Sequence, residues 1–557
     1  MKINKFILFI ITSVLISSCS YLDFDESIGR GKDYYYFYFN ETTKLVTNIY
    51  AYLPTEYDAV DGALREAATD NATYVWKDCN VVKFYNGSWS PKTTVDDKWE
   101  NYYSGIRAAN SFLENFNLSN YDKFKNNSDY IQIINEVQYY PYEVQFLRAY
   151  FYFELIKRYG SVPLLNRTYS LNEVNDLKPA PFDSIVKFIA DECDSTSKYL
   201  PITYDLSTFK NKETGRITKG ACLALKSRIL LYAASELHNS NNAKPEKWEK
   251  AALAAKALID MNYYKFDAST FNIWSDANTS LTSKQLILEA RDGSSTNSFE
   301  SKNFPIGIEG GNTGNCPSQN LVDAFEMTNG TAFDWSNPAH KANPYANRDS
   351  RLAKTVLYNG ATFVGTTKIE TFVGGKNGLP INGASPTGYY LKKYVNTTVT
   401  FTVTGPIKKT HNWILFRYAE VLLNYAEALN EWKGPDYTDA TFTLSAKQAV
   451  NLVRTQAGMP GFTETEKSLF QTRLRNERRV ELAFEDHRFW DIRRWKIATN
   501  PTVILGVNVV KDASTGVITY SKIEVEQRNW EDKMYLFPIA QTEVYKNTNL
   551  IQTKNWD

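Results

Sequence analysis

Near the end of the chain, carboxylates recur at helical spacing in a segment rich in arginine. Glu477, Glu481 and Glu485 are four residues apart, with Asp486 and His487 directly beside the last of them. Two carboxylates that meet in a cleft can act as acid and base in hydrolysis. Opposite charges three or four residues apart, however, mostly stabilise helices. We therefore expect ion pairs here and no catalytic residue, with His487 as a packed or capping side chain.

The sequence gives little support to metal, cofactor or nucleophile chemistry. The four histidines show no H-E-x-x-H or E-x-x-H spacing, and the cysteines contain no C-x-x-C pair. No G-x-S-x-G elbow, P-loop or dinucleotide fingerprint is present. We expect no cofactor and no metal site. Apart from Cys19, the cysteines should be small buried side chains, namely Cys79, Cys193, Cys222 and Cys316.

The aromatic residues carry the stronger functional signal. The chain has 37 Tyr, 31 Phe and 12 Trp, and several of them stand in polar loops. Between residues 69 and 99, Trp76, Tyr85 and Trp89 are surrounded by Asn, Asp, Gly, Ser and Lys. A flat indole covers the apolar face of a sugar ring, while Lys77 and Asn86 could bond its hydroxyl rim.

Two aromatic residues further along the chain have similar polar surroundings. They are Phe304 and Trp335, in the loop-rich middle of the sequence. Trp and Tyr often have one buried face, so packing is the alternative for each residue. The candidate ligand-binding set is Trp76, Lys77, Tyr85, Asn86, Trp89, Phe304 and Trp335.

The elements that must position these residues are mainly helical. Apolar residues recur three and four apart through most of residues 36–264, and strong helices return in 411–557. A longer helix is expected from residue 413 to 431, and another from 474 to 495. Residues 265–410 are rich in Gly, Asn, Ser, Thr and Pro, with short strands expected at 367–373 and 399–404. Small residues at the helix contacts suggest tetratricopeptide-like hairpins, although no 34-residue period is present.

The N-terminus has the proportions of a secretory signal. Two lysines precede the apolar run Phe6 to Ile16, which is too short to span a membrane. No second apolar run approaches that length. The ending before Cys19 resembles the lipobox of bacterial lipoproteins. We expect a signal peptide at 1–18, acylation (palmitate among the chains) at Cys19 and a tether over 19–35. An ordinary secreted protein with an accidental Cys19 is the alternative.

The net charge is close to zero, with 63 Lys and Arg against 62 Asp and Glu. Such a balance gives no strong field for nucleic acid or another polyanion. It suits a neutral ligand, although a local charged patch could still exist.

Several separated strings, in order, resemble the SusD/RagB family of nutrient-binding outer-membrane lipoproteins of Bacteroidetes. They include AANSFLENF, EVQFLRAYFYFELIKRYGSVPLL, PSQNLVDAFEMTNG, TGYYLKKY, LFRYAEVLLNYAEALNE and NERRVELAFEDHRFWDIRRW. The resemblance covers essentially the whole chain after Cys19. It implies an α-rich scaffold of tetratricopeptide-like helix pairs, with a SusD-like N-terminal part at 36–264, a ligand-binding insertion at 265–410 and a C-terminal part at 411–557. It further implies lipid anchoring at the outer membrane, facing the exterior, beside a SusC-like TonB-dependent transporter as partner.

The expected function is to capture an oligosaccharide or polysaccharide and pass it to that transporter without bond chemistry. A peptide binder of the RagB kind is the first alternative. A surface glycoside hydrolase is a second, and a scaffold that binds only other proteins is a third.

Overall fold

The computed structural model of the chain describes residues 31–204, 215–267, 273–275, 277–280 and 282–557. The predicted signal peptide, Cys19 and most of the predicted tether lie outside these residues.

Helices dominate the described residues. In chain order they are α1 (Lys32–Phe37), α2 (Phe39–Tyr50), α3 (Trp99–Asn115), α4 (Tyr130–Val137), α5 (Tyr140–Tyr159), α6 (Leu171–Asn175), α7 (Phe182–Thr196), α8 (Lys219–Ala234), α9 (Glu246–Ile259), α10 (Ala277–Ser280), α11 (Ser298–Asn303), α12 (Gln319–Ala324), α13 (Pro338–Ala342), α14 (Leu352–Thr355), α15 (Tyr418–Lys433), α16 (Ala446–Ala457), α17 (Lys467–Glu481), α18 (Arg488–Arg494) and α19 (Gln541–Lys546).

The longer helices pack on one another in sequence. Helix α3 lies on α5, α5 on α7, α7 on α8 and α8 on α9, and α15 then packs on α9, α16 and α17. Helix α5 is buried on nearly every side, as its run of Leu, Phe, Tyr and Ile requires. It ends at Gly160, which has a φ of 75°. This array of paired helices confirms the mainly α fold.

Within the described residues, the strands form four small two-stranded antiparallel sheets. Strand β1 (Ala72–Tyr74) pairs with β3 (Asn315–Pro317), and β2 (Leu286–Thr296) pairs with β6 (Lys409–Arg417). Strand β4 (Val356–Leu357) pairs with β5 (Tyr390–Leu391), and β7 (Thr502–Lys511) forms a hairpin with β8 (Ile518–Arg528).

Four secondary-structure expectations are wrong. Residues 367–373 and 399–404 are not strands, because their backbone hydrogen bonds to neighbouring segments, such as Val373 N–H to Val509 O, do not continue into a ladder. Residues 413–417 belong to β6, and the helix after them begins at Tyr418. The helix expected at 474–495 is interrupted after Glu481, where Phe484 and Asp486 have φ values of 61° and 60°.

The buried apolar side chains form one continuous core that includes residues of the helical array and of the loop-rich middle. The four cysteines after Cys19 are buried free thiols, as expected. Within the described ranges, no helix combines the length and the apolar character that a membrane crossing needs.

Candidate functional site

Trp76 lies where the early loop meets the middle of the chain. It follows β1, whose pairing with β3 sets Tyr74 opposite Asn315. The indole Nε1 donates a hydrogen bond of 3.0 Å to the carbonyl oxygen of Asn312. The side chain nevertheless stays 38% exposed. The structure thus combines a fixed indole edge with an open aromatic surface, which is what a ring-binding platform needs.

The loop with Gly383 closes against the other end of the Trp76 ring. Gly383 has a φ of +81°, and a Cβ built there would lie 3.0 Å from the Trp76 Cη2 atom. A glycine is therefore needed both for the backbone conformation and for the close approach. The same loop carries the exposed side chains Leu379 and Ile381. The sequence analysis missed these aliphatic residues, since nothing in the sequence links them to Trp76.

A charged cluster includes Lys77, the residue that follows Trp76 in the chain. The Lys77 Nζ atom donates to Thr73 Oγ1 at 2.9 Å and to Glu526 Oε2 at 2.6 Å, and the lysine side chain is 52% exposed. Arg528 also donates to the Glu526 carboxylate. Hairpin β7–β8, which the sequence analysis left out of the site, therefore supplies the carboxylate of this charged cluster.

Tyr85 and Asn86 lie in the same early loop. The Tyr85 ring is half-buried beneath the Arg528 guanidinium, at 4.0 Å from its centroid. Burial raises the pKa of Tyr85 to about 12, so its hydroxyl stays neutral. Asn86 is exposed, and its side-chain oxygen accepts hydrogen bonds from the Ser88 backbone N–H and hydroxyl at 3.0 and 2.6 Å. Tyr85 therefore packs under the charged cluster, while Asn86 stabilises the loop through its hydrogen bonds with Ser88.

Two predicted platform residues belong to the core. Trp89 is 3% exposed and meets the rings of Phe84, Phe537 and Trp556 edge-on at 4.9 to 5.0 Å. Phe304 is 2% exposed and meets the rings of Phe363 and Phe401 edge-on. Their rings are covered on all sides, so we remove both residues from the candidate site. Polar neighbours in the sequence did not reveal this packing, because the partners lie far away along the chain.

Trp335 lies beside the middle of strand β8. Its Nε1 donates to Asp323 Oδ1 at 2.9 Å, and the Lys522 Nζ lies 5.7 Å from its ring centroid. Lys522 and Glu526 are four residues apart on β8, which is about 13 Å at the rise of a strand. The same strand thus contacts both Trp335 and Lys77.

The carboxylates that invited a hydrolytic interpretation are ion-paired. Glu477 accepts from Arg351 and Arg454 at 2.5 and 2.6 Å, and Glu481 from Arg351 and Arg417 at 2.7 Å each. Burial would raise the pKa of Glu481, but Arg417 and Arg351 outweigh it and hold that pKa at about 2. The expected ion pairs are therefore present, although their partners come from other elements and not from the same helix.

Two further residues of this cluster lie beyond the end of α17. Glu485 accepts from Arg417 and from Lys393, each at 2.6 Å. His487 is buried and hydrogen-bonded by Arg478. Burial lowers the pKa of His487 well below its ordinary value, which keeps the imidazole neutral. Within the described residues no group of His, Cys, Asp and Glu could hold a metal ion.

Comparison with known proteins agrees with this architecture. Residues 278–556 match the family model described as "SusD family", and residues 21–231 match one described as "Starch-binding associating with outer membrane". SusD-like protein P2 of Formosa agariphila is 23% identical over 474 residues, covering 81% of this chain and 79% of that protein. SusD-like protein P38 of the same organism is 22% identical and covers 87% and 90% of the two chains.

Solved structures have the same fold. A SusD-like protein from Bacteroides fragilis superposes with a TM-score of 0.76 at 26% identity, covering 95% of this chain and 99% of that one. A SusD-like carbohydrate-binding protein from the same species gives 0.74 at 24% identity, with 93% and 100% coverage. A laminarin-binding SusD-like protein gives 0.61 at 19% identity, with 93% and 99% coverage. Since a single family model spans half of the sequence, the chain belongs to the SusD family.

Proposed function

We propose that this protein binds an oligosaccharide or polysaccharide on the surface around Trp76 and delivers it to a SusC-like TonB-dependent transporter. The observation that carries the proposal is the exposed indole of Trp76, which two loops of the middle region hold by its edges. The carbohydrate-binding relatives support a glycan as the ligand.

The chemistry around Trp76 suits a sugar. The apolar C–H face of a pyranose ring stacks on an indole, and its hydroxyl groups then need donors and acceptors at the ring edge. In the proposal, Lys77 supplies such a donor and Glu526 such an acceptor; the two groups are paired with each other at 2.6 Å. Because both groups are paired with each other before the ligand arrives, a neutral hydroxyl can bridge them without burying an isolated charge.

Replacing Trp76 by alanine tests the site. The Trp76→Ala protein should lose at least tenfold in affinity for the polysaccharide that the wild-type chain binds best in a broad panel, measured by isothermal titration calorimetry. Tyr545→Ala removes another exposed aromatic side chain, on α19, and serves as the control. Equal affinity for Trp76→Ala and Tyr545→Ala would contradict the proposed site.

A peptide ligand is the second candidate, and one observation favours it. Leu379 and Ile381 are 45% and 38% exposed on the loop that touches Trp76. Aliphatic side chains offer contacts to the apolar side chains of a peptide but no hydrogen bonds to sugar hydroxyls. A Leu379→Ser, Ile381→Ser double variant should keep its glycan affinity within twofold of wild type. If the ligand is a peptide, a peptide pool should bind this variant more weakly than wild type.

Delivery depends on attachment and on a partner. In the proposal, acyl chains on Cys19 hold the protein at the outer face of the outer membrane, and the binding site lies next to the transporter. Such apposition raises the effective ligand concentration at the transporter without any bond chemistry. Cys19→Ser should release the protein from the membrane fraction, and affinity purification of the lipidated wild type should recover a TonB-dependent transporter. Reducing ends released from the bound polysaccharide would contradict the non-enzymatic proposal.

A further inference from the structure

The backbone turn that accepts the Trp76 hydrogen bond is centred on a strained residue. Thr313 has a φ of 70°, and the Gly314 N–H donates across it to the carbonyl oxygen of Asn312 at 2.8 Å. A bond between residues two apart with a positive φ in the middle is the rare, strained form of the γ-turn. A β-branched side chain makes a positive φ more costly still. Such a conformation persists only where the surrounding structure holds it.

The turn is bonded twice to the segment that carries Trp76. The Asn312 carbonyl oxygen accepts from the Trp76 Nε1 atom at 3.0 Å, and the Gly314 carbonyl oxygen accepts from the Val75 N–H at 3.0 Å. The peptide unit with the Asn312 carbonyl ends at the nitrogen of Thr313. The φ of Thr313 therefore sets the direction of that carbonyl, and with it the line along which the indole N–H is held.

The side chain of Thr313 reaches the second loop that holds Trp76. Thr313 is 0% exposed. Its hydroxyl donates to the carbonyl oxygen of Gly383 at 2.5 Å and accepts from the Ile306 N–H at 3.2 Å. Gly383 is the residue that closely approaches the other end of the Trp76 ring. A single buried hydroxyl thus joins the two loops between which the indole lies.

The hydroxyl also gives a reason for a threonine at this position. Glycine would adopt the positive φ without the steric cost. A glycine at position 313 would, however, remove the donor to the buried Gly383 and the acceptor of the Ile306 N–H. Losing the partner of a buried polar group is destabilising. The strain at Thr313 is therefore offset by its side-chain hydrogen bonds, as is typical of backbone strain at binding sites.

We infer that Thr313 is a positioning residue of the carbohydrate site, whose hydroxyl keeps the Trp76 indole in place before a sugar arrives. The role of Trp76 in binding rests on the proposed function, whereas the link between the two loops rests on the hydrogen bonds of Thr313. A ring that is already ordered loses less conformational freedom on binding, which favours affinity. Because it is fully buried, Thr313 acts through the ring and not on the sugar.

Replacements at position 313 separate the hydroxyl from the shape of the side chain. Thr313→Val keeps the branched volume without the hydroxyl, and Thr313→Ser keeps the hydroxyl. The probe is whichever of soluble starch, laminarin, xylan and galactomannan the wild type binds most tightly in calorimetric titration. Thr313→Val should bind it at least fivefold more weakly, and Thr313→Ser within twofold of wild type. Thr313→Gly should also lose at least fivefold, and it relieves the strain, so it serves should the valine variant fail to fold.

Thr196→Val is the matched control. Thr196 lies on α7, is also 0% exposed, and donates from its hydroxyl to the carbonyl oxygen of Glu192 at 2.8 Å. The valine removes a buried hydroxyl in the same way as at position 313. This variant should bind the probe within twofold of wild type.

Fluorine NMR reports the position of the ring without any ligand. Protein labelled with 5-fluorotryptophan carries the label at each of its 12 Trp residues, and the Trp76 resonance is identified by its loss in Trp76→Ala. That resonance should shift or broaden in Thr313→Val and return to its wild-type position in Thr313→Ser. It should not move in Thr196→Val. A purely structural role of Thr313 would lower the Tm of the valine variant and leave the Trp76 resonance where it is.

The outcomes distinguish this inference from the proposed function. If Trp76→Ala loses glycan affinity while Thr313→Val and Thr313→Gly bind as the wild type does, Thr313 is not a positioning residue and the Trp76 site stands. If Trp76→Ala binds as the wild type does, the proposed site fails, while a displaced Trp76 resonance in Thr313→Val still supports Thr313 as the residue that orders the ring. An unmoved Trp76 resonance in both hydroxyl-free variants overturns the inference whatever the affinities.

Discussion

Replacing Arg417 with methionine should remove a large part of the stability that the C-terminal ion-pair cluster provides. The Arg417 side chain is 1% exposed and binds two carboxylates at once. Its Nε and Nη2 atoms donate to Glu485 at 2.6 and 2.7 Å, and its Nη1 donates to Glu481 at 2.7 Å. Methionine keeps an unbranched apolar stem but supplies neither charge nor donors.

The cost follows from the partners that remain. Removing one member of a buried ion pair typically costs about 3–5 kcal/mol. Glu481 keeps Arg351 and Glu485 keeps Lys393, so we expect the lower end, about 3 kcal/mol. The lowered pKa of Glu481 agrees with a loss of stability of about this magnitude. Despite its burial, Arg417 and Arg351 together hold that pKa at about 2 against an ordinary 4.5, and each unit corresponds to about 1.4 kcal/mol.

Differential scanning calorimetry measures the effect. Unfolding entropy of about 2.1 cal/mol/K per residue gives about 1.2 kcal/mol/K for a chain of 557 residues. A loss of about 3 kcal/mol then lowers the Tm by roughly 2–3 °C. Lys187→Met is the control, because its ion pair with Asp191 is mostly exposed and contributes about 0–1 kcal/mol. A Tm of Arg417→Met no lower than that of Lys187→Met would refute the reasoning.

Three further predictions concern other parts of the molecule. Trp89→Ala should lower the free energy of unfolding by about 3–5 kcal/mol in denaturant titrations. The folded variant should bind glycan as the wild type does. A loss of binding without a loss of stability would return Trp89 to the site. Gly383→Ala should weaken glycan binding at least threefold by displacing the Trp76 ring. The positive φ at this position should also cost about 1–2 kcal/mol of stability. Unchanged affinity would show that the position of the ring does not matter. Burial raises the pKa of Glu66 to about 7, above the roughly 4.3 of a glutamate in an unfolded chain. The folded state therefore favours the protonated carboxyl. The stability that Glu66 contributes is present below pH 4 and is lost as the pH rises through 7. Glu66→Gln should therefore gain Tm relative to wild type between pH 5 and 8, and a constant difference across that range would contradict the assignment.

The helical array could be predicted from the sequence because its signal is local. Apolar residues three and four apart mark α3, α5 and α15, and Gly160 marks the end of α5. The predicted helix boundaries were wrong where pairing with a distant strand overrode that local signal. Residues 413–417 have enough apolar side chains for a helix, but their backbone pairs with β2 across more than a hundred residues.

The candidate site was predicted in part. Trp76 and Lys77 lie on an exposed surface beside the middle region, but Trp89 and Phe304 do not. In the sequence, Trp76 and Trp89 have the same polar surroundings. The two side chains differ in burial because Trp89 packs on Phe537 and Trp556 from the end of the chain, whereas Trp76 is 38% exposed and hydrogen-bonded to the carbonyl oxygen of Asn312. Glu526 and Lys522 were missed for the same reason, since a hairpin near the C-terminus carries Glu526 to Lys77 and Lys522 to Trp335.

The buried charges of this protein affect its stability far more than its net charge. Most buried arginines, such as Arg351 and Arg417, meet carboxylates from other elements, so the pairs cancel in the net charge and hold the C-terminal elements together. A net charge of +1 therefore says nothing about the interior, because the buried charges of opposite sign cancel in the sum. Only the positions of the carboxylates in the fold show which arginines they neutralise.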